Sequence, residues 1–198
     1  MSRAKKPRAF SPTERGELRI IAGEWRSRRF AFNALPGLRP TPDRVRETLF
    51  NWLSGQVEDA RCLDLFAGSG ALTLEALSRG AAEVLACDLS REVVSTLRGH
   101  LQTLHCERGE VRQQDALSLL ATPPAAPYEI AFLDPPFHQD LLLPACQALE
   151  ANGWLTSRAW IYLESEQRPA QLALPASWHL HREKRAGQVH YSLWQRQA

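Results

Sequence analysis

From residue 61 onward the chain alternates short apolar runs with longer stretches whose apolar residues return every three or four positions. The short runs read as buried strands and the longer stretches as helices. Strands are expected in "RCLDLF", "EVLACD", "GEVRQQ", "YEIAFL" and "AWIYLE". Helices are expected in "GALTLEALSRG", "SREVVSTLRGHLQTL", "DALSLLA" and "QDLLLPACQALEANG", with Gly80 stopping the first and Pro144 kinking the last. Such alternation with short loops implies an α/β fold: a parallel sheet, helices on both faces, right-handed crossovers. The end of the chain departs from it. "SWHLHREK" and "QVHYSLWQR" are two strands around "RAG" with no helix between, an antiparallel hairpin that completes a mostly parallel seven-stranded sheet.

Upstream, Val45, Leu49, Trp52 and Leu53 form one apolar stripe of a helix. Its start is marked by Thr41 as N-cap, Pro42 at the first helical position and Asp43 in the positive first turn. "LRIIAGEW" and "RSRRFAF" read as a small N-terminal β-hairpin, joined to that helix by the turn-rich "LPGLRPTPD". Residues 1–16 carry no apolar period and are expected to form a disordered basic tail. The expected organisation is thus a tail at 1–16, a hairpin extension at 17–40, and one α/β domain at 41–198.

Composition changes this picture little: 44% apolar residues suffice for a core, and no run is long enough to span a bilayer. The basic N-terminus lacks the apolar segment of a secretory signal. Cys62, Cys87, Cys106 and Cys146 form no CxxC pair, and are read as buried thiols of a cytoplasmic protein with neither zinc nor disulfides. Of the six histidines, His179 and His181 lie on one face of a strand without a carboxylate or cysteine at that spacing, and His138 reads as a surface loop residue. Charge is more telling. Residues 1–46 hold 12 Lys/Arg against four Asp/Glu, although the whole chain is only +2. A basic arm on an acidic body points to a polyanionic partner.

Candidate chemistry sits at the strand ends. In "LDLFAGSGALTLEAL", Asp64 closes a strand, and Gly68 and Gly70 allow a tight turn and close approach of a ligand. Thr73 stands where a dinucleotide fingerprint has its third glycine, and the carboxylate four residues before the first glycine suits an amino-acid ammonium better than a pyrophosphate. Asp88, closing "EVLACD", is placed to bind both hydroxyls of a ribose or to cap the next helix, a task Ser90 can also perform. Asp115 is placed to accept from an adenine amino group or to cap a helix. Asp134 opens "DPPF". Acids that end successive parallel strands line one crevice at the carboxyl edge of the sheet.

"DLFAGSGALTLEALSRGA" followed by "DPPF" resembles the Rossmann-like class I S-adenosylmethionine-dependent methyltransferases that act on exocyclic amines of nucleobases. "LRIIAGEWRSRRF", "GLRPTPDRVRETLFNWL" and "WHLHREKRAGQVHYSLWQR" further resemble the bacterial RsmD family, which methylates the guanine N2 amino group of small-subunit (16S) ribosomal RNA. The resemblance covers about residues 18–198. It implies S-adenosylmethionine held by Thr41, Asp64, Phe66, Gly68, Gly70, Asp88 and Asp115. Catalysis falls to Asp134, Pro135, Pro136 and Phe137. It implies a ribosomal RNA partner, faced by the hairpin extension at 17–40 and taken within a small subunit or its assembly intermediate, and a monomeric enzyme.

The residues of "DPPF" suit that chemistry. A guanine amine is a poor nucleophile because its lone pair is delocalised. Asp134 and the Pro135 carbonyl offer acceptors for its two N–H groups, on a backbone whose φ angles proline fixes. Phe137 offers a ring for the extruded base, and such stacking returns about 1–3 kcal/mol. Arg26, Arg28 and Arg29 alternate with Trp25 and Phe30, which suits phosphate contact with stacking; Arg39, Arg44 and Arg46 flank the helix start, and "HREKR" adds charge near the C-terminus. Two other readings stand beside this one: a DNA or RNA adenine-N6 methyltransferase, and a non-catalytic RNA-binding ribosome assembly factor. A nicotinamide oxidoreductase fits less well, given Thr73 and "DPPF".

Overall fold

The structure is a computed structural model that describes residues 15–33 and 41–198. Residues 1–14 of the expected tail at 1–16 and the bridge at 34–40 with Arg39 lie outside the described residues, while Arg15 and Gly16, expected in the tail, open the first strand because Gly16 pairs with Phe32. Strands β1 (Arg15–Arg19) and β2 (Arg29–Asn33) pair antiparallel as the expected N-terminal hairpin. Both are displaced from the expected spans, because Gly23 (φ 84°) and Ser27 (φ 69°) turn the chain between them. Helix α1 (Asp43–Trp52) follows. Then come β3 (Arg61–Asp64), α2 (Ala71–Ser78), β4 (Glu83–Asp88), α3 (Arg91–Thr103), β5 (Gly109–Gln113) and α4 (Ala116–Leu120). The chain closes with β6 (Tyr128–Leu133), α5 (Leu142–Ala151), β7 (Leu155–Ser165), β8 (Trp178–Ala186) and β9 (Val189–Arg196).

The large sheet has the order β5-β4-β3-β6-β7-β9-β8. β3 to β7 run parallel, while β9 is antiparallel to both neighbours. The chain works outward from β3 to β5 and returns to lay β6 against β3, so the switch point lies between those strands. One face carries α1 to α3 and the small hairpin, with Leu49, Leu53, Leu74 and Leu77 fully buried; the other carries α4 and α5, with Leu120, Cys146 and Leu149 fully buried. Pro144 does not kink α5. The helix begins at Leu142, so the proline falls in the first turn, where its missing N–H has no partner to lose. Among the described residues no helix is long and apolar enough to cross a membrane.

The hairpin shares the main core. Leu18, Ile20, Trp25, Phe30 and Phe32 are all buried against it, each contributing about 1.5–3 kcal/mol. Its anchor is Glu75, a fully buried acid of α2. Glu75 accepts from the backbone N–H groups of Ile21 (2.8 Å) and Ala22 (3.1 Å) and from Arg79 Nε (2.7 Å), and Arg46 Nη1 lies 3.5 Å away. The two margins of the sheet are polar. β5 is five residues long and bears the Arg112–Glu110 pair, and β8 is exposed over most of its length with a register shift between Leu180 and Arg182.

Candidate active site

The carboxyl ends of β5, β4, β3 and β6 bring Asp115, Asp88, Asp64 and Asp134 into one row in that spatial order, as the sequence predicts. Asp64 is only 2% exposed and accepts from the Thr73 hydroxyl at 2.7 Å. Burial drives its carboxyl up to about 6, while the Thr73 hydroxyl and the N–H groups of Phe66 and Thr73 act against that rise. Thr73, at the position of the absent third glycine, is therefore the hook that sets Asp64. Phe66 lies half-buried after it.

The intervening turn requires its glycines. Gly68 (φ 51°) and Gly70 (φ 79°) are left-handed, and a Cβ on Gly70 would lie 2.5 Å from Leu97 Cδ1. Gly68 N–H donates to Asp88 Oδ2 (3.0 Å) and Ser90 N–H to Asp88 Oδ1 (2.8 Å). Asp88 thus ties two loops together and is not the cap of α3. Ser90 is that cap, accepting from Val93 N–H at 3.4 Å. Each Asp88 oxygen keeps a lone pair for a further donor. Asp115 does cap α4, its Oδ1 accepting from Ser118 N–H at 2.8 Å. Directly after Asp88, Leu89 is 70% exposed, an uncovered apolar side chain beside the row of acids that sequence reasoning missed.

Beyond β6, Asp134 is half-buried, Pro135 buried, and Phe137 40% exposed. Two left-handed residues, His138 (φ 61°) and Asp140 (φ 51°), turn the loop back. His138 is a surface residue, as expected, with Nε2 3.0 Å from Glu166. Thr41 is not an N-cap: Pro42 holds that position and no side chain caps α1. The Thr41 hydroxyl instead donates to Asp134 Oδ2 at 3.5 Å. A fifth acid extends the row. Glu164, 7% exposed near the end of β7, accepts from Tyr162 Oη at 2.8 Å. Burial, then the charges of Glu164 and Asp64, push the Asp134 carboxyl well up, while the Thr41 hydroxyl opposes them. The signal for Glu164 was present: "AWIYLE" ends an apolar run on an acid just as "YEIAFLD" does.

The arginines divide. Arg46 is 1% exposed, and its guanidinium donates to the Thr41 and Arg19 carbonyls and pairs with Asp43 and Glu75. It is a buried structural cation, which removes it from the candidate RNA contacts. Trp25 and Phe30 are likewise buried, so the expected stacking on RNA is not available to them. Arg26 and Arg28 are exposed but follow closely on Trp25, whose backbone N–H donates to Ser78 Oγ at the far end of α2. They therefore sit at the amino edge of the sheet, about 20 Å from the crevice given the six residues of β4. Arg29 pairs with Glu17 at 2.5 Å, and Arg44 is exposed on α1. The tip of the β8–β9 hairpin, with Lys184 and Arg185, lies on the crevice side, because His190 pairs with Ser165 at the end of β7.

Comparison with known proteins gives the frame a lineage. Residues 18–195 match the family model described as conserved hypothetical protein 95. The chain is 51% identical over 183 residues to the ribosomal RNA small subunit methyltransferase D of Escherichia coli, covering 92% of each. It is 46% identical to the Haemophilus influenzae protein of the same name, covering 93% of this chain and 97% of that one. Among solved structures, the Escherichia coli protein yhhF, described as a candidate methyltransferase, superimposes with a TM-score of 0.84 at 51% identity, over 92% of this chain and 99% of that one. In fold alone, the T. thermophilus 16S rRNA N2 G1207 methyltransferase (RsmC), solved with AdoMet and guanosine, superimposes with a TM-score of 0.65 at 20% identity, over 97% of this chain and 52% of that one. With the match spanning hairpin, glycine turn and "DPPF" together, this chain belongs to the conserved hypothetical protein 95 family, which it shares with the ribosomal RNA small subunit methyltransferase D proteins.

Proposed function

We propose that this protein transfers a methyl group from S-adenosylmethionine to the N2 amino group of one guanine in small-subunit (16S) ribosomal RNA, as a cytoplasmic monomer acting on an assembled or assembling subunit. The observation that carries the reading is the continuous row of strand-end acids that brings Asp134 beside an exposed Phe137. The names of the close relatives support ribosomal RNA as substrate.

The residues present fit the donor. Asp88 has lone pairs free for ribose hydroxyls, Leu89 offers apolar surface for an adenine, and the left-handed glycines Gly68 and Gly70 form the tight turn between Asp64 and α2. Asp64 and Thr41 flank the path toward Asp134, and Phe66 and Asp115 border it. When bound, the donor supplies an electrophilic methyl carbon on a cationic sulfur. The protein supplies position: Asp134 and the Pro135 carbonyl accept the amine hydrogens and aim the nitrogen lone pair, and Phe137 stacks on the base. Orientation of this kind is worth about 7–11 kcal/mol of barrier. Asp134 also stabilises positive charge as it grows on the amine. Arg44, with Lys184 and Arg185 of the hairpin tip, supplies phosphate contacts on the crevice side.

The test is methyl transfer to small subunits and to free 16S RNA from cells lacking this protein, followed by nucleoside mass spectrometry. N2-methylguanosine is expected, with subunits the better substrate. N6-methyladenosine would overturn the guanine assignment in favour of an adenine enzyme. Failure to bind S-adenosylmethionine in calorimetry would overturn the enzyme reading in favour of an assembly factor.

A further inference from the structure

Glu164 has no part in the reaction as described above, yet it is buried and has no cation beside it. Among the described residues no Lys or Arg pairs with either Glu164 or Asp134. Leu133 of β6 pairs with Leu163 of β7, so Asp134 and Glu164 are neighbours one residue further on. Strands in this direction lie about 4.8 Å apart, which sets two carboxyl groups side by side on the α1 face of the sheet. The same register continues from Glu164 to Tyr191 on β9 and to Lys184 on β8. The nearest cation along that row is two strands away, about 10 Å.

Two hydroxyls divide the pair. Tyr162 Oη donates to Glu164, and Thr41 Oγ1 lies within reach of both acids. Burial raises the Glu164 carboxyl as well, and the Tyr162 and Thr41 hydroxyls oppose that rise. Thr41 has one proton to give, so it cannot satisfy both acids as anions, and Glu164 alone has the further donor Tyr162. We propose that Glu164 is a positioning residue that, held as an anion by Tyr162, makes Asp134 the acceptor of the proton released by the methylated amine. This rests on the methyl-transfer reading above. The nitrogen lone pair forms the N–C bond while the C–S bond breaks and its electrons stay on sulfur. The ammonium then carries one proton too many, which passes to Asp134 and from there to water. A cationic donor in the crevice offsets the mutual repulsion and keeps Asp134 ionised before transfer. Methyl transfer moves that charge from sulfur to the amine nitrogen beside Asp134, and when the ammonium gives up its proton Glu164 makes Asp134 hold it more firmly. The groups facing the pair agree with this: Asp64 adds negative charge from β3, Tyr162 and Tyr191 approach from β7 and β9, and Thr41 from the start of α1.

The experiment has two arms on the full chain. Carboxyl-carbon NMR, with Asp134 assigned by difference from D134N, reads the pair without substrate. The pH profile of kcat on small subunits reads it in the reaction. In E164Q, which keeps an acceptor for Tyr162, the Asp134 titration and the acid limb of kcat should both fall by at least about one pH unit. KM for RNA should stay within about threefold, and E164D should restore part of the wild-type profile. T41V should move both readings upward. An Asp134 titration unmoved in both E164Q and T41V overturns the proposal, and so does a fall in kcat with an unshifted acid limb. If the wild type transfers no methyl group at any pH, the proposed reaction fails, while the NMR arm still judges the pair.

Discussion

Replacing Glu75 with Gln tests whether one buried carboxylate fastens the N-terminal hairpin. Gln keeps the volume and removes the charge. It offers a single oxygen where Ile21 and Ala22 each donate to a different one, so one backbone N–H loses its partner, at about 1–3 kcal/mol. Arg46, at 1% exposure, also loses an anion 3.5 Å away, though Asp43 and two carbonyls remain. Breaking a buried pair from one side costs about 3–5 kcal/mol, and the retained partners place the expected total near 3–4 kcal/mol. For a chain of this size that is a fall of about 6–16 °C in Tm. Urea denaturation gives the free energy, and hydrogen exchange at Ile21 and Ala22 shows whether the loss is local. A loss below about 1 kcal/mol, or unchanged exchange at those amides, would refute the anchoring argument.

Asp134→Asn should keep S-adenosylmethionine affinity but lower kcat about 10²–10³-fold, the scale for removing one preorganised partner of developing charge; unaltered kcat refutes the role. Phe137→Ala should lower kcat/KM for RNA about 5–150-fold with donor affinity unchanged, as loss of 1–3 kcal/mol of stacking requires; single-turnover kinetics checks it. Asp64 is held with its carboxyl raised to about 6. Its protonated form is thus favoured by folding, and this stability is full below about 4 and lost as pH rises through about 6. Asp64→Asn should therefore gain on the wild type by roughly 3 kcal/mol between pH 4 and pH 7, read by urea denaturation at both values.

Much of the frame was legible because its signals are local. An apolar run ending on an acid marks a strand tip whatever the rest of the chain does, and Asp64, Asp88 and Asp134 are legible so, the first and last underlined by a glycine turn and a proline pair; Asp115 follows a polar strand and is legible only from the alternation of strands and helices. What escaped was decided at a distance. Arg46 looks like any surface cation of a helix until Glu75, 29 positions later, comes to meet it. Trp25 and Phe30 alternate with arginines as a nucleic-acid surface would, but the same alternation describes a strand with one face inward, and the core lies on that side. Thr41 has the residue type of a helix cap, yet its hydroxyl is drawn to an acid 93 positions away.

The polar margins of the sheet bear on how the protein survives in a crowded solution. An uncovered edge strand offers free N–H and C=O groups to any passing strand, and a second copy is the commonest such visitor. The eight-to-nine-residue partnership of β8 and β9 leaves β8 as the longer exposed edge, and Arg182, Lys184 and Arg185 with the register shift at Leu180 make it a poor template for further pairing. The opposite edge is protected by brevity and by its own ion pair. Cations on β8 thus serve solubility whatever else they touch, so neutralising them to probe RNA affinity would also invite precipitation.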